Sequence, residues 1–141
     1  MENRAGLSRC KLVAFVTVVD VDRAKVFYRD ALGLRLVSEE LPFALVFDAN
    51  GTTLRVAIAK QASPAQGTIL GWQVSNMAEA VRDLAQAGVR FERYDFMKQD
   101  EMGIWTSPSG ARVAWFKDPD GNVLSITEHT VGLKLRLFAA R

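Results

Sequence analysis

Phe116-Lys117-Asp118-Pro119-Asp120-Gly121-Asn122-Val123-Leu124-Ser125-Ile126 is a turn set between two strand-like runs. Proline presets φ at the second turn position, aspartate bonds its own backbone, and glycine takes the left-handed conformation. With Arg112 to Lys117 before it and Val123 to Glu128 after it, the stretch predicts a β-hairpin that closes the fold. The same pattern occurs earlier as Phe47-Asp48-Ala49-Asn50-Gly51-Thr52-Thr53-Leu54-Arg55-Val56. Setting Gly51 on Gly121 also sets Leu54 on Leu124 and Arg55 on Ser125, the first sign of an internal repeat.

The repeat extends outward from these hairpins. Lys11 to Val19 is a nearly continuous apolar run, as for a strand covered on both faces. Asp20 or Asp22 then caps a helix whose stripe is Val21, Ala24, Phe27, Tyr28, Ala31 and Leu32, stopped by Gly33. Strands follow at about 34–39, 43–48 and 53–59. The second half begins with a strand from Ile69 to Ser75. Asn76 caps the next helix, with Glu79 in a capping-box position, a stripe of Met77, Ala80, Val81, Leu84 and Ala85, and Gly88 as the stop. A strand near 89–93, an irregular stretch and the closing hairpin complete it. Val18-Val19-Asp20 falls on Val74-Ser75-Asn76, and Leu32-Gly33-Leu34 on Ala87-Gly88-Val89. A period of roughly 55–70 residues implies two similar modules, each covering what the other cannot bury. The predicted division is a leader at 1–10, a first βαβββ module at 11–60, a linker at 61–68, a second module at 69–128 and a tail at 129–141, one domain overall.

The totals narrow the function classes. The chain has 141 residues, 49% hydrophobic and 24% charged, ordinary for a globular protein. A net charge of +2 gives no electrostatic case for nucleic acid or an anionic membrane as partner. The single cysteine, Cys10, excludes an intrachain disulfide, and Met1 to Arg9 is too polar for a signal peptide, so the expected location is a reducing cytoplasm.

The motifs Asp20-Val21-Asp22-Arg23-Ala24-Lys25-Val26-Phe27-Tyr28-Arg29-Asp30-Ala31-Leu32-Gly33 and Phe116 to Asn122, at this separation and on this repeat, resemble the vicinal oxygen chelate superfamily. It includes glyoxalase I, extradiol dioxygenases and the fosfomycin- and bleomycin-resistance proteins. The resemblance spans about residues 11–128. It implies an α+β fold of two tandem βαβββ modules forming a cupped, barrel-like mixed sheet, in a homodimer. Its enzymes hold a divalent metal with His, Glu or Gln on the concave face. The family's ligand positions fall here on Val13, Arg55, Ile69 and Ser125, which are not a divalent-metal set. His129, the only histidine, cannot complete one beside Glu128, which points to the other strand face. No metal and no cofactor is therefore expected.

Alternation along the strands assigns the candidate site. Ala14, Val16, Val18, Leu70, Trp72 and Val74 face the helices, while Val13, Phe15, Thr17, Val19, Ile69, Gly71 and Gln73 take the open face. Trp115 points to the open face and Phe116 lies under a helix. The ligand-binding candidates are Phe15, Thr17, Arg55, Gln73, Trp105, Trp115 and Ser125: aromatic walls with a few polar groups, suited to an anionic or aromatic small molecule. Arg55 has a second reading, a strand arginine that reaches solvent or pairs with a neighbouring acid. The tryptophans have one as well, in core or dimer packing. The stretch from Tyr94 to Gly103 reads either as a lid or as a mobile surface connection. The alternating tail, apolar at 131, 133, 135 and 137, predicts an extra strand or a dimer contact. Two functions follow: metal-independent binding of a small molecule for sequestration or resistance, and a glyoxalase- or dioxygenase-type enzyme with a non-standard metal set. The four lost ligand positions favour the first, and catalytic residues are not assignable.

Overall fold

The computed structural model describes residues 6–129, which lie in two compact units that follow one another at Ala62 and Ser63. The first unit runs β1 (Val13–Val18), α1 (Val21–Lys25) continued by a π-helical segment (Val26–Ala31), β2 (Arg35–Glu40), β3 (Ala44–Ala49) and β4 (Thr52–Ile58). The second runs β5 (Thr68–Gln73), α2 (Met77–Gln86), β6 (Trp105–Thr106), β7 (Arg112–Lys117) and β8 (Val123–Glu128). Each unit carries a four-stranded mixed sheet, in the order β1-β4-β3-β2 and β5-β8-β7-β6. In both, the first strand pairs in parallel with the last and the other pairs are antiparallel. This is the α+β class and the twofold βαβββ order expected from the sequence.

The two hairpins differ in turn chemistry. Asn50 (φ 51°) and Gly51 (φ 97°) make a two-residue loop with both residues left-handed, the twist that suits adjoining antiparallel strands. Asp48 Oδ1 accepts the Gly51 N–H at 3.1 Å. The closing turn is longer: Gly121 donates to Asp118 O at 3.0 Å, and Asp118 N–H to Asn122 O at 3.0 Å. Gly121 has φ 89°, and Pro64 Cγ stands 3.3 Å from where its Cβ would be, so the linker segment packs onto the turn.

Helix starts follow the caps read from sequence. Asp20 Oδ1 accepts the Arg23 N–H at 3.0 Å and Asn76 Oδ1 that of Glu79 at 3.0 Å. Glu128 Oε1 takes the Met77 N–H at 2.7 Å, so the acid beside His129 serves a helix start. In the first unit the core is Val16, Val18, Leu45, Phe47, Leu54 and Val56 with Ala24 and Tyr28 from the helix, the Tyr28 and Phe47 rings 6.1 Å apart. In the second it is Ala114, Phe116, Leu124 and Ile126 with Met77 and Val81 from α2.

Two expectations need correction. The first helix is α-helical for one turn only, and Leu32 N–H reaches back five residues to Phe27 O at 2.9 Å. This wider turn still ends at Gly33 (φ 74°) and keeps Tyr28 fully buried. The strand near 89–93 is reduced to one antiparallel bridge, Phe91 to Phe116, with Glu92 N–H donating to Trp115 O at 2.8 Å. The chain then leaves the sheet edge and returns to it as β6, where Trp105 pairs with Val113. One edge strand is thus split by an excursion at 94–103. The strand expected from Val131 onward lies outside the described residues. Among the described residues no helix is long and apolar enough to cross a membrane.

Candidate ligand-binding faces

Strand register places every candidate. In the first unit Phe15 lies across from Arg55, Arg55 from Val46, and Val46 from Ser38, one row of the sheet face away from α1. Thr17, Ala57, Ala44 and Glu40 form the neighbouring row. Phe15 is 60% exposed, a large apolar group with no core to join. Arg55 Nη1 pairs with Glu40 Oε1 at 2.8 Å, so the reading of Arg55 as the partner of a neighbouring acid is realised. A planar guanidinium still has donors left after one carboxylate contact.

In the second unit the row is Gly71, Ser125 and Trp115, flanked by Gln73, Thr127, Val113 and Trp105. Gly71 leaves room here: a Cβ at this position would lie 2.8 Å from Ser125 Oγ, so the hydroxyl would have to shift. The hydroxyl occupies the space over Gly71, and Ser125 is buried as a result of such close packing. The Trp105 and Trp115 rings stand 6.1 Å apart, tilted by 41°. Tyr94 meets Trp115 edge-on at 5.8 Å, and Phe96 lies 5.7 Å from Tyr94, 82% exposed. Edge-to-face and tilted contacts at these distances are the favourable geometries for rings. Burial and the nearby Glu92 carboxylate hold the Tyr94 phenol above its ordinary pKa, so it remains a neutral donor at physiological pH.

Tyr94 and Glu40 escaped the sequence reading. Alternation orders residues inside a strand, and Tyr94 sits on the excursion. The run of ring residues Phe91, Tyr94 and Phe96 before Trp105 was the available signal.

The excursion is bonded to itself at both ends. Gln99 Oε1 accepts the Tyr94 N–H at 2.8 Å, while its Nε2 donates to Glu92 O at 2.9 Å and Gly103 O at 2.8 Å. Asp100 Oδ1 accepts the N–H groups of Met102 and Ile104, both at 2.9 Å. The Asp100 carboxylate is therefore engaged in shaping the loop. Lys98, Gln99, Asp100, Ile104, Trp105 and Thr106 line a hollow of about 400 Å³ beside Trp105.

Among the described residues no three His, Cys, Asp or Glu side chains gather where they could share a metal ion. Val13 and Arg55 lie on the first open face and Ser125 on the second, so the positions that resemble family ligands offer an alkyl group, a cation and a neutral hydroxyl. These residues do not fit a divalent metal.

The twofold βαβββ topology agrees with what comparison with known proteins finds. The model of the Glyoxalase/Bleomycin resistance protein/Dioxygenase superfamily matches residues 9–126. Comparison with curated proteins gives no match. Among solved structures, a glyoxalase family protein from Bacillus anthracis is similar at 15% identity with a TM-score of 0.69, over 92% of this chain and 100% of that one. A lactoylglutathione lyase from Agrobacterium tumefaciens is 18% identical with a TM-score of 0.63, over 85% and 93% of the two chains. A member of the same superfamily from Sphaerobacter thermophilus is 23% identical with a TM-score of 0.64, over 84% and 96%. At these identities the likeness is one of fold, and the match of the family model along nearly the whole described chain is what decides: this protein belongs to the glyoxalase/bleomycin resistance protein/dioxygenase superfamily.

Proposed function

We propose that this protein binds a small molecule without a metal, in sequestration or resistance, and holds a planar aromatic ligand on the open face of the second sheet. The observation that carries the reading is the cluster of Tyr94, Trp105 and Trp115, with the exposed amide of Gln73 in the adjoining rows. Rings with a few polar groups beside them suit a flat ligand with hydrogen-bonding edges. Phe15, Thr17 and Arg55 supply an apolar surface, a hydroxyl and a positive charge on the open face of the first sheet. Ser125 shapes the second face from beneath. Superfamily membership, the net charge of +2 and the lone cysteine support a cytoplasmic homodimer with no nucleic-acid partner.

The test is tryptophan fluorescence titration with a naphthalene carboxylate, with thermal shift in parallel. Saturable quenching is expected, weakened about tenfold or more by Trp115→Leu, the loss of one good ring contact and its buried area. A large rise in melting temperature with one of Mn, Fe, Ni, Zn or Mg, with near-stoichiometric metal in the purified protein, would instead restore the reading as a metal-dependent enzyme with a non-standard ligand set.

A further inference from the structure

A second cleft lies away from the sheet face, where α2, the 89–93 segment and the excursion meet. It is an open hollow of about 390 Å³, comparable in volume with small-molecule sites. Its apolar lining is Val81, Ala85, Val89, Phe91 and Met102. Its rim carries three guanidinium groups, Arg82, Arg90 and Arg93, against one carboxylate, Glu101. Among the described residues Arg82 and Arg90 form no ion pair, and Arg93 is steered by donating to Asp100 O at 2.8 Å. Three guanidinium groups against one carboxylate leave the rim net positive, and guanidinium forks match a carboxylate.

We propose that this cleft binds a medium-chain acyl carboxylate, its head on Arg82 and Arg90 and its chain on Val81, Val89 and Met102. A methionine and branched aliphatic residues adapt to a flexible chain, and Phe91 adds an edge of ring to the same apolar surface. The cleft shares no lining residue with the rows of the open sheet face, so this inference stands apart from the function proposed above.

The test is isothermal titration calorimetry of the full chain with sodium decanoate below its micellar concentration. Saturable binding is expected, at least about tenfold weaker in the double variant Arg82→Gln/Arg90→Gln and unaffected by Trp115→Leu. Both arginines are exposed, so the double variant should keep the parent melting temperature. Decanol should bind at least about tenfold more weakly than decanoate. No saturable binding, equal binding by the double variant, decanol as tight as decanoate, or loss through Trp115→Leu alone would each overturn the proposal.

Discussion

Asp118 holds the closing turn through both carboxylate oxygens. Oδ1 accepts the Asp120 and Asn122 N–H groups at 2.9 Å, and Oδ2 the Asn122 side-chain amide at 2.9 Å, with Asp118 only 4% and Asn122 only 5% exposed. Removing a buried acceptor leaves its donors unpaired, so Asp118→Ala should lower stability by about 2–4 kcal/mol in urea unfolding, and Asp118→Asn by less. Gly71 permits a sharper test. Gly71→Ala drives a methyl against Ser125 Oγ and should cost about 1–3 kcal/mol, as overpacking does, with much of that loss absent when Ser125→Ala is already present. Additive effects in this cycle would mean the two side chains do not share the space. Tyr94 offers a pH signature. A phenol whose folded pKa is raised binds its proton longer in the native state, so its stabilisation is full below the unfolded pKa and is lost as pH rises through the folded value. The difference between the absorbance titrations of the parent and Tyr94→Phe should show a tyrosine ionising late, and Tyr94→Phe should flatten the alkaline fall in stability.

At the level of elements, most of this was legible because the signals were local. Asn50-Gly51 and Asp118 to Gly121 named their turns, Asp20 and Asn76 named the helix starts, and parity assigned Trp115 and Phe116 to opposite faces. What escaped depends on geometry that no local pattern carries. A stripe at spacings of three and one fits a helix with or without one widened turn, so the π-helical segment left no mark in it. The alternation at Val89 and Phe91 is genuine, since Val89 is buried and Phe91 packs on Phe116 at 5.6 Å. Yet the Gln99 and Asp100 side chains satisfy the backbone of the following residues, and the strand is not needed to do so. Gln99→Ala removes three such bonds and should raise the rate of limited proteolysis between 94 and 103 severalfold without loss of the core. Unchanged cleavage would show that the Gln99 side chain does not pin the loop.

At the scale of the whole molecule the twofold repeat was visible because each copy ends its helix and its hairpin with the same glycine signals. The grouping of site residues was visible only within each copy. Phe15, Thr17 and Arg55 share one face, and Gln73, Trp105, Trp115 and Ser125 another. The modest net charge carries its own expectation: fluorescence anisotropy with duplex DNA at physiological salt should show no saturable binding. The split edge strand has a consequence for how such a molecule could be rebuilt. Its two ends meet β7 at Phe116 and Val113, so the excursion departs from and returns to almost the same place on the sheet. The ladder of β5, β8 and β7 does not pass through it. The excursion is a cassette: libraries grafted between Arg93 and Ile104, with buried Ile104 kept, would alter what stands over Trp115 while the ladder that displays them stays the same.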